Sequence, residues 1–221
     1  MTGEDDTVPF ADLPRVIPVF PLPGALLLPG GHLPLHIFEP RYRAMVRDAL
    51  AGGRIIGMMQ PRNPKQVAKV QDLYGVGCAG RINAFRETDD GRYYITLKGL
   101  CRFAVIEELN ADTPYRQTVV SYARYRADMQ TGGRDVPIDR EKLMPALREF
   151  LDRFEVKVDW EALQEVPDDT LVRSLAMMCP FEPNEKQALL EAATPGERGT
   201  LVTALIEMAI IPEASKETRL Q

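Results

Sequence analysis

Two histidines, three serines and three cysteines are few for a chain of 221 residues, and their scarcity removes most catalytic designs. His32 and His36 are four positions apart, but Pro34 between them argues against the helix that would bring them together. On a strand they would share one face about 13 Å apart, too far to grip a single metal. No Cys-x-x-Cys accompanies them, and no metal or other cofactor is expected. Cys78, Cys101 and Cys179 are odd in number and widely spaced, which argues against a disulfide framework. Cys78 and Cys101 alternate in phase with apolar neighbours, and Cys179 closes a helical pattern before Pro180, so all three read as packing residues. Ser121, Ser174 and Ser215 lie outside any Gly-x-Ser-x-Gly elbow, and no lysine lies within a few residues of Ser121 or Ser174 to activate them.

Long apolar runs are also missing. The longest uncharged stretch, 16–37, is cut by Pro18, Pro21, Pro23, Pro29 and Pro34, so it is not a membrane-spanning helix. Met1 to Asp6 are acidic, the wrong sign for the start of a signal peptide, and a cytoplasmic location is expected. The net charge of −5 supplies no general pull toward nucleic acid. Arg41, Arg43, Arg47 and Arg54 are the one local basic candidate.

The chain changes character near residue 130. Before it, short apolar runs are punctuated by Gly and Pro, the mark of strands and turns. His32 to Phe38 alternates, with Leu33, Leu35 and Ile37 on one side, and Pro34 marks it as an edge strand. Glu39-Pro40 opens a helix in which Tyr42, Met45, Val46, Ala49 and Leu50 share a face, ending at Gly52-Gly53. Further strands are expected over 54–60, 76–86, 92–98, 101–108 and 115–123. Thr88-Asp89-Asp90-Gly91 reads as a hairpin turn with a positive φ at Gly91, and Gly99-Leu100 as a second tight connection. Beyond 130 the apolar spacing is helical. Leu143 to Val158 form one stripe, Asp168-Asp169 read as a cap, Pro183 opens a helix, and Thr194-Pro195-Gly196-Glu197 reads as a capping box.

Gly75 to Gly80 has the spacing of a phosphate loop, but Arg81-Ile82 stand where Lys and Ser/Thr are required. Its glycines read as places where a sheet bends or another group approaches closely. The carboxylate pairs Asp89-Asp90, Glu107-Glu108 and Asp168-Asp169 have structural explanations as turn, opposite strand faces and helix cap.

The run from Pro18 to Tyr42, PVFPLPGALLLPGGHLPLHIFEPRY, resembles the opening signature of the Lon protease amino-terminal (substrate-binding) domain family. Gly75 to Ile82, Asp90 to Gly99 and Arg102-Phe103 resemble a second block of that family, and Glu185 to Glu191 fits its helical part. The resemblance covers about residues 13 to 210. It implies an α+β chain: a PUA-like, mostly antiparallel β-barrel with one crossing helix, followed by an α-helical bundle. The expected division is a tail over 1–12, the barrel over 13–127, a linker over 128–136, the bundle over 137–212 and a tail over 213–221. No ATPase motif or peptidase block is present, so the resemblance is to a free-standing, non-enzymatic member. The expected function is recognition of unfolded or damaged polypeptides, alongside a protease or chaperone machine. The candidate surface is His36, Phe38, Glu39, Arg41 and Tyr42, with Phe38 and Tyr42 weighed also as core between barrel and helix. The alternatives are a PUA-like nucleic-acid module and a cryptic peptidase.

Overall fold

The computed structural model describes residues 8–63, 71–130 and 138–211, and the chain divides into two compact units, Met1–Thr131 and Gly132–Gln221. The expected tails and linker fall largely outside the described residues.

The first unit carries β1 (Val16–Pro21), β2 (His32–Ile37), α1 (Pro40–Ala51), β3 (Ile55–Met59), β4 (Val76–Glu87), β5 (Tyr93–Leu109) and β6 (Arg116–Ser121), then a 3₁₀ segment over Ala123–Met129. The sheet order is β2-β5-β4-β3-β1-β6, with β5 also pairing with β6. The pairings therefore run in a circuit, β1 to β3 to β4 to β5 to β6 and back to β1. Inside it pack Ile17, Val19, Met59, Cys101, Phe103 and Val120, all essentially removed from water. β2 hangs outside the circuit on the first half of β5 and has no second strand partner among the described residues.

Two features of the sheet depart from the sequence reading. β1 is a strand that the prolines conceal. Ile17 and Val19 are fully buried, and Pro18 pairs only with Gln117 of β6, because pairing with β3 begins one residue later. The missing proline N–H thus falls where β1 has one neighbour. β1 and β3 run parallel, the exception in an otherwise antiparallel sheet. The second departure is Gly99-Leu100, which is no turn: β5 continues through it for 17 residues, with a register shift against β4 at that point. Gly99 has no side chain because the Leu28 carbonyl lies against its α-carbon, and Gly30 N–H donates to Gly99 O at 2.9 Å.

Other local expectations hold. Gly91 has φ +73°, and the Thr88 carbonyl accepts from Gly91 N–H at 2.8 Å. α1 starts on Pro40 and buries Tyr42, Met45, Val46 and Ala49. Gly77 and Gly80 sit where a Cβ would strike Phe103 and Leu27, which is close approach and not phosphate binding.

Asp128 does not begin a linker. Its carboxylate accepts from Arg102 Nε at 2.8 Å, Arg102 Nη2 at 2.8 Å and Arg102 backbone N–H at 3.1 Å. Arg102 also lies over the Tyr125 ring. This buried pair fastens the 3₁₀ segment onto β5, so the first unit extends at least to Asp128.

The second unit holds α2 (Arg140–Arg153), α3 (Trp160–Gln164), α4 (Asp168–Met178), α5 (Pro183–Glu191) and α6 (Pro195–Ile210). Leu143, Leu147, Phe150, Leu171, Val172, Leu189, Val202 and Ile206 bury their apolar faces. The stripe from Leu143 does not reach Val158: α2 stops at Arg153, Glu155 takes φ +53°, and Phe154 is exposed. Asp168 is not a cap either. Pro167 holds that place, and Asp168 accepts from Arg140 Nε and Ile138 N–H, tying α4 to the start of α2. Thr194 caps α6 by accepting from Glu197 N–H, while the Glu197 carboxylate returns to Ala193 N–H.

Candidate functional site

A cleft of about 660 Å³ opens beside β2. One wall is β2 itself from Pro34 to Ile37, continuing into Phe38 and Glu39. The opposite side comes from the end of β1, Phe20 to Pro23, and from Pro114 to Arg116 at the start of β6. His36, Phe38, Glu39, Arg41 and Tyr42 all line this one cleft.

Their environments differ. Phe38 follows the last residue of β2 and is 58% exposed, so it is not core. Tyr42 is 6% exposed and packs its ring on Phe20 at 4.2 Å between centroids, so it forms floor. Burial raises the Tyr42 hydroxyl above the usual phenol range, with Arg41 and Arg116 opposing and Glu39 reinforcing the shift. Arg41 lies over Tyr42 at 4.4 Å and pairs with Glu39 at 2.9 Å. Arg116 forks onto both carboxylate oxygens of Glu108 and donates to Gln71 O at 2.7 Å. The cations that line the cleft are thus matched by carboxylates, and its wall is apolar, aromatic and proline-rich.

Two residues that shape the cleft escaped the candidate set, one beneath its wall and one in it. Gln60 is buried, accepts from Gly24 N–H at 2.9 Å and donates to Ala25 O, so it holds the turn after β1 that carries Leu22 and Pro23. Tyr115 donates its hydroxyl to Asp48 at 2.8 Å, which pins the stretch before β6 to α1. Burial, then this hydrogen bond and the Asp48 charge, push the Tyr115 hydroxyl up to about 12. No local motif marks either residue, because both act across long sequence separations.

The basic candidates do not gather into one free face. Arg41 is paired with Glu39, Arg47 with Asp48, and Arg43 reaches Gly91. Arg54 takes φ +60° in the turn after α1. Ser121 lies on β6 with its oxygen accepting from Ala123 N–H, and Ser174 lies on α4. Among the described residues no group of three or more His, Cys, Asp or Glu could hold a metal, and no helix is long and apolar enough to cross a membrane.

Lon protease 2 of Myxococcus xanthus is 33% identical over 105 residues, 47% of this chain and 13% of that protein. The Lon protease of Dictyoglomus thermophilum is 26% identical over 207 residues, 93% of this chain and 26% of that protein. This chain therefore spans at most about a quarter of these relatives. Among solved structures, the Lon N-terminal domain protein of Xanthomonas campestris matches with TM-score 0.58 at 25% identity, over 86% of this chain and 97% of that one. The N-terminal domain of the Mycobacterium avium complex Lon protease, at 15% identity and TM-score 0.57, shares the fold. The model of the ATP-dependent protease La (LON) substrate-binding domain matches residues 16–208, and the chain belongs to that family.

Proposed function

We propose that this chain is a non-catalytic polypeptide-recognition module, serving protein quality control in the cytoplasm by binding exposed apolar segments of unfolded or damaged proteins for a protease or chaperone machine. The circuit of strands is, in this reading, the PUA-like barrel that the sequence resemblance implies. The observation that carries the proposal is Phe38, a large aromatic held in water at the mouth of an open cleft beside a strand edge that is unpaired among the described residues. Such an edge accepts an extended chain, and the apolar wall selects its side chains. Pro34 lacks an N–H, so β2 carries one backbone donor fewer at its middle and side-chain contacts dominate recognition. The paired charges of the cleft leave it near neutral, which suits uncharged apolar segments.

Fluorescence anisotropy with a labelled, permanently unfolded polypeptide tests this. Wild type should bind at tens of micromolar or tighter. Phe38→Ala should weaken binding about tenfold, as expected for losing the burial of one aromatic ring. Phe38 is exposed, so the melting temperature should hold. No binding by the intact protein, or unchanged binding by Phe38→Ala, overturns the proposal.

A further inference from the structure

The solvent-facing side of β2, β5 and β4 is a grid fixed by strand register. His32 stands opposite Lys98, and Lys98 opposite Arg81. Two residues along β2 and β5, and three along β4 where the register shifts between Ile82 and Ala84, Pro34, Thr96 and Ala84 form an uncharged row. Beyond them His36 stands opposite Tyr94, and Tyr94 opposite Arg86. In this last row the His36 and Tyr94 rings stack at 4.5 Å and 11°, and the Arg86 guanidinium lies 5.2 Å from the Tyr94 ring centre. The grid contains three permanent cations and no carboxylate, in a chain whose net charge is −5. Glu87, the next acid along β4, is in register with the buried Tyr93 and so belongs to the alternate side. None of the ion pairs among the described residues engages Lys98 or Arg86.

Placement gives this face a partner. Pro34 and His36 belong both to the grid and to the cleft wall, so the two surfaces meet along the free edge of β2. A chain lying in the cleft reaches the grid as it leaves. The cleft is charge-matched, whereas the adjoining face is cationic. We infer that the site reads a composite signal: an uncharged apolar segment in the cleft, followed by an acidic flank of the same polypeptide laid across Lys98 and Arg86. The inference rests on the polypeptide-binding reading of the cleft and adds its charge selectivity. The stacked row supplies rigidity. Tyr94 stacks on His36 where the two surfaces meet, so each ring covers one face of the other.

The test uses the full chain and three synthetic peptides with one uncharged Leu/Phe core and an Asp-rich, a Ser-rich or a Lys-rich flank. Wild type should prefer the Asp-flanked over the Lys-flanked peptide by about tenfold at low salt, with the gap closing as salt rises. Lys98→Glu with Arg86→Glu should invert the order. Lys98→Gln with Arg86→Gln should flatten it, leaving the Ser-flanked peptide within about twofold of wild type, as both side chains lie outside the cleft. Thermal melts should match wild type, because the positions face water. Binding of all three peptides without ranking, or a ranking unmoved in both double variants, overturns the flank assignment and leaves the cleft reading intact. Failure of all three to bind overturns the cleft reading, and the flank assignment with it. Displacement of the Asp-flanked peptide by a single-stranded oligonucleotide more readily than by its own unlabelled form gives the face to nucleic acid, and also overturns the assignment.

Discussion

Gln60 accepts a hydrogen bond from Gly24 N–H at 2.9 Å across 36 positions of sequence, and so shapes a cleft it does not line. Its amide nitrogen donates to Ala25 O, so both ends of a buried side chain are used. Gln60→Leu keeps the volume and orphans both backbone groups. We expect a stability loss of about 1–3 kcal/mol by chemical unfolding. Hydrogen exchange should quicken at Gly24, and polypeptide binding should weaken as the Leu22–Pro23 wall loosens.

The buried pair of Arg102 and Asp128 makes a sharper prediction. Asp128→Ala removes the carboxylate that Arg102 meets in the interior and should cost about 3–5 kcal/mol. Replacing both partners, Arg102→Met with Asp128→Leu, should cost less than the two single changes added together, read by a double-mutant cycle.

All three thiols are buried. Burial, aided by the Asp128 charge, pushes the Cys101 thiol up to about 12, and burial pushes Cys179 to about 11 with Lys186 opposing. Neither thiol is a thiolate near neutrality. A disulfide reagent at mildly alkaline pH should modify no cysteine in the native protein and all three after denaturation.

In the β4–β5 turn, the Thr88 hydroxyl donates to Asp90, and this bond with the Arg92 amide and charge holds the Asp90 carboxyl below its usual range. A depressed folded-state pKa adds stability above the unfolded aspartate range. That stability is lost as pH falls through the folded value. An NMR titration should place the Asp90 midpoint below that of an unstructured aspartate, and Thr88→Val should move it back up. An unshifted midpoint in the native turn would refute this.

Much of the architecture is legible from residue order. The alternation over His32–Phe38, the proline start of α1 and the Asp-Gly turn at 90–91 are local signals, and each appears where its chemistry places it. β1 was not legible, because two prolines in six residues outweigh Ile17 and Val19 until the one-sided pairing at Pro18 is seen. Gly99 read as a turn for the same reason: a glycine looks alike whether it bends the chain or admits a neighbour. Of the candidate residues, Phe38 and Tyr42 could not be told apart on paper. One ends a strand in water and the other faces Phe20.

The sequence by itself determined the two-part character of the chain, the edge nature of β2 and the family, since these follow from periodicity, proline placement and motif order. The tertiary structure alone decided that residues near 20, 38, 60 and 115 meet around one cleft, and that Lys98 and Arg86 share a face with His36. The physical reason is range. Caps, turns and alternation act within a few residues, whereas a cleft is made by strand pairing and buried hydrogen bonds that span dozens, and those exist only once the chain has closed on itself.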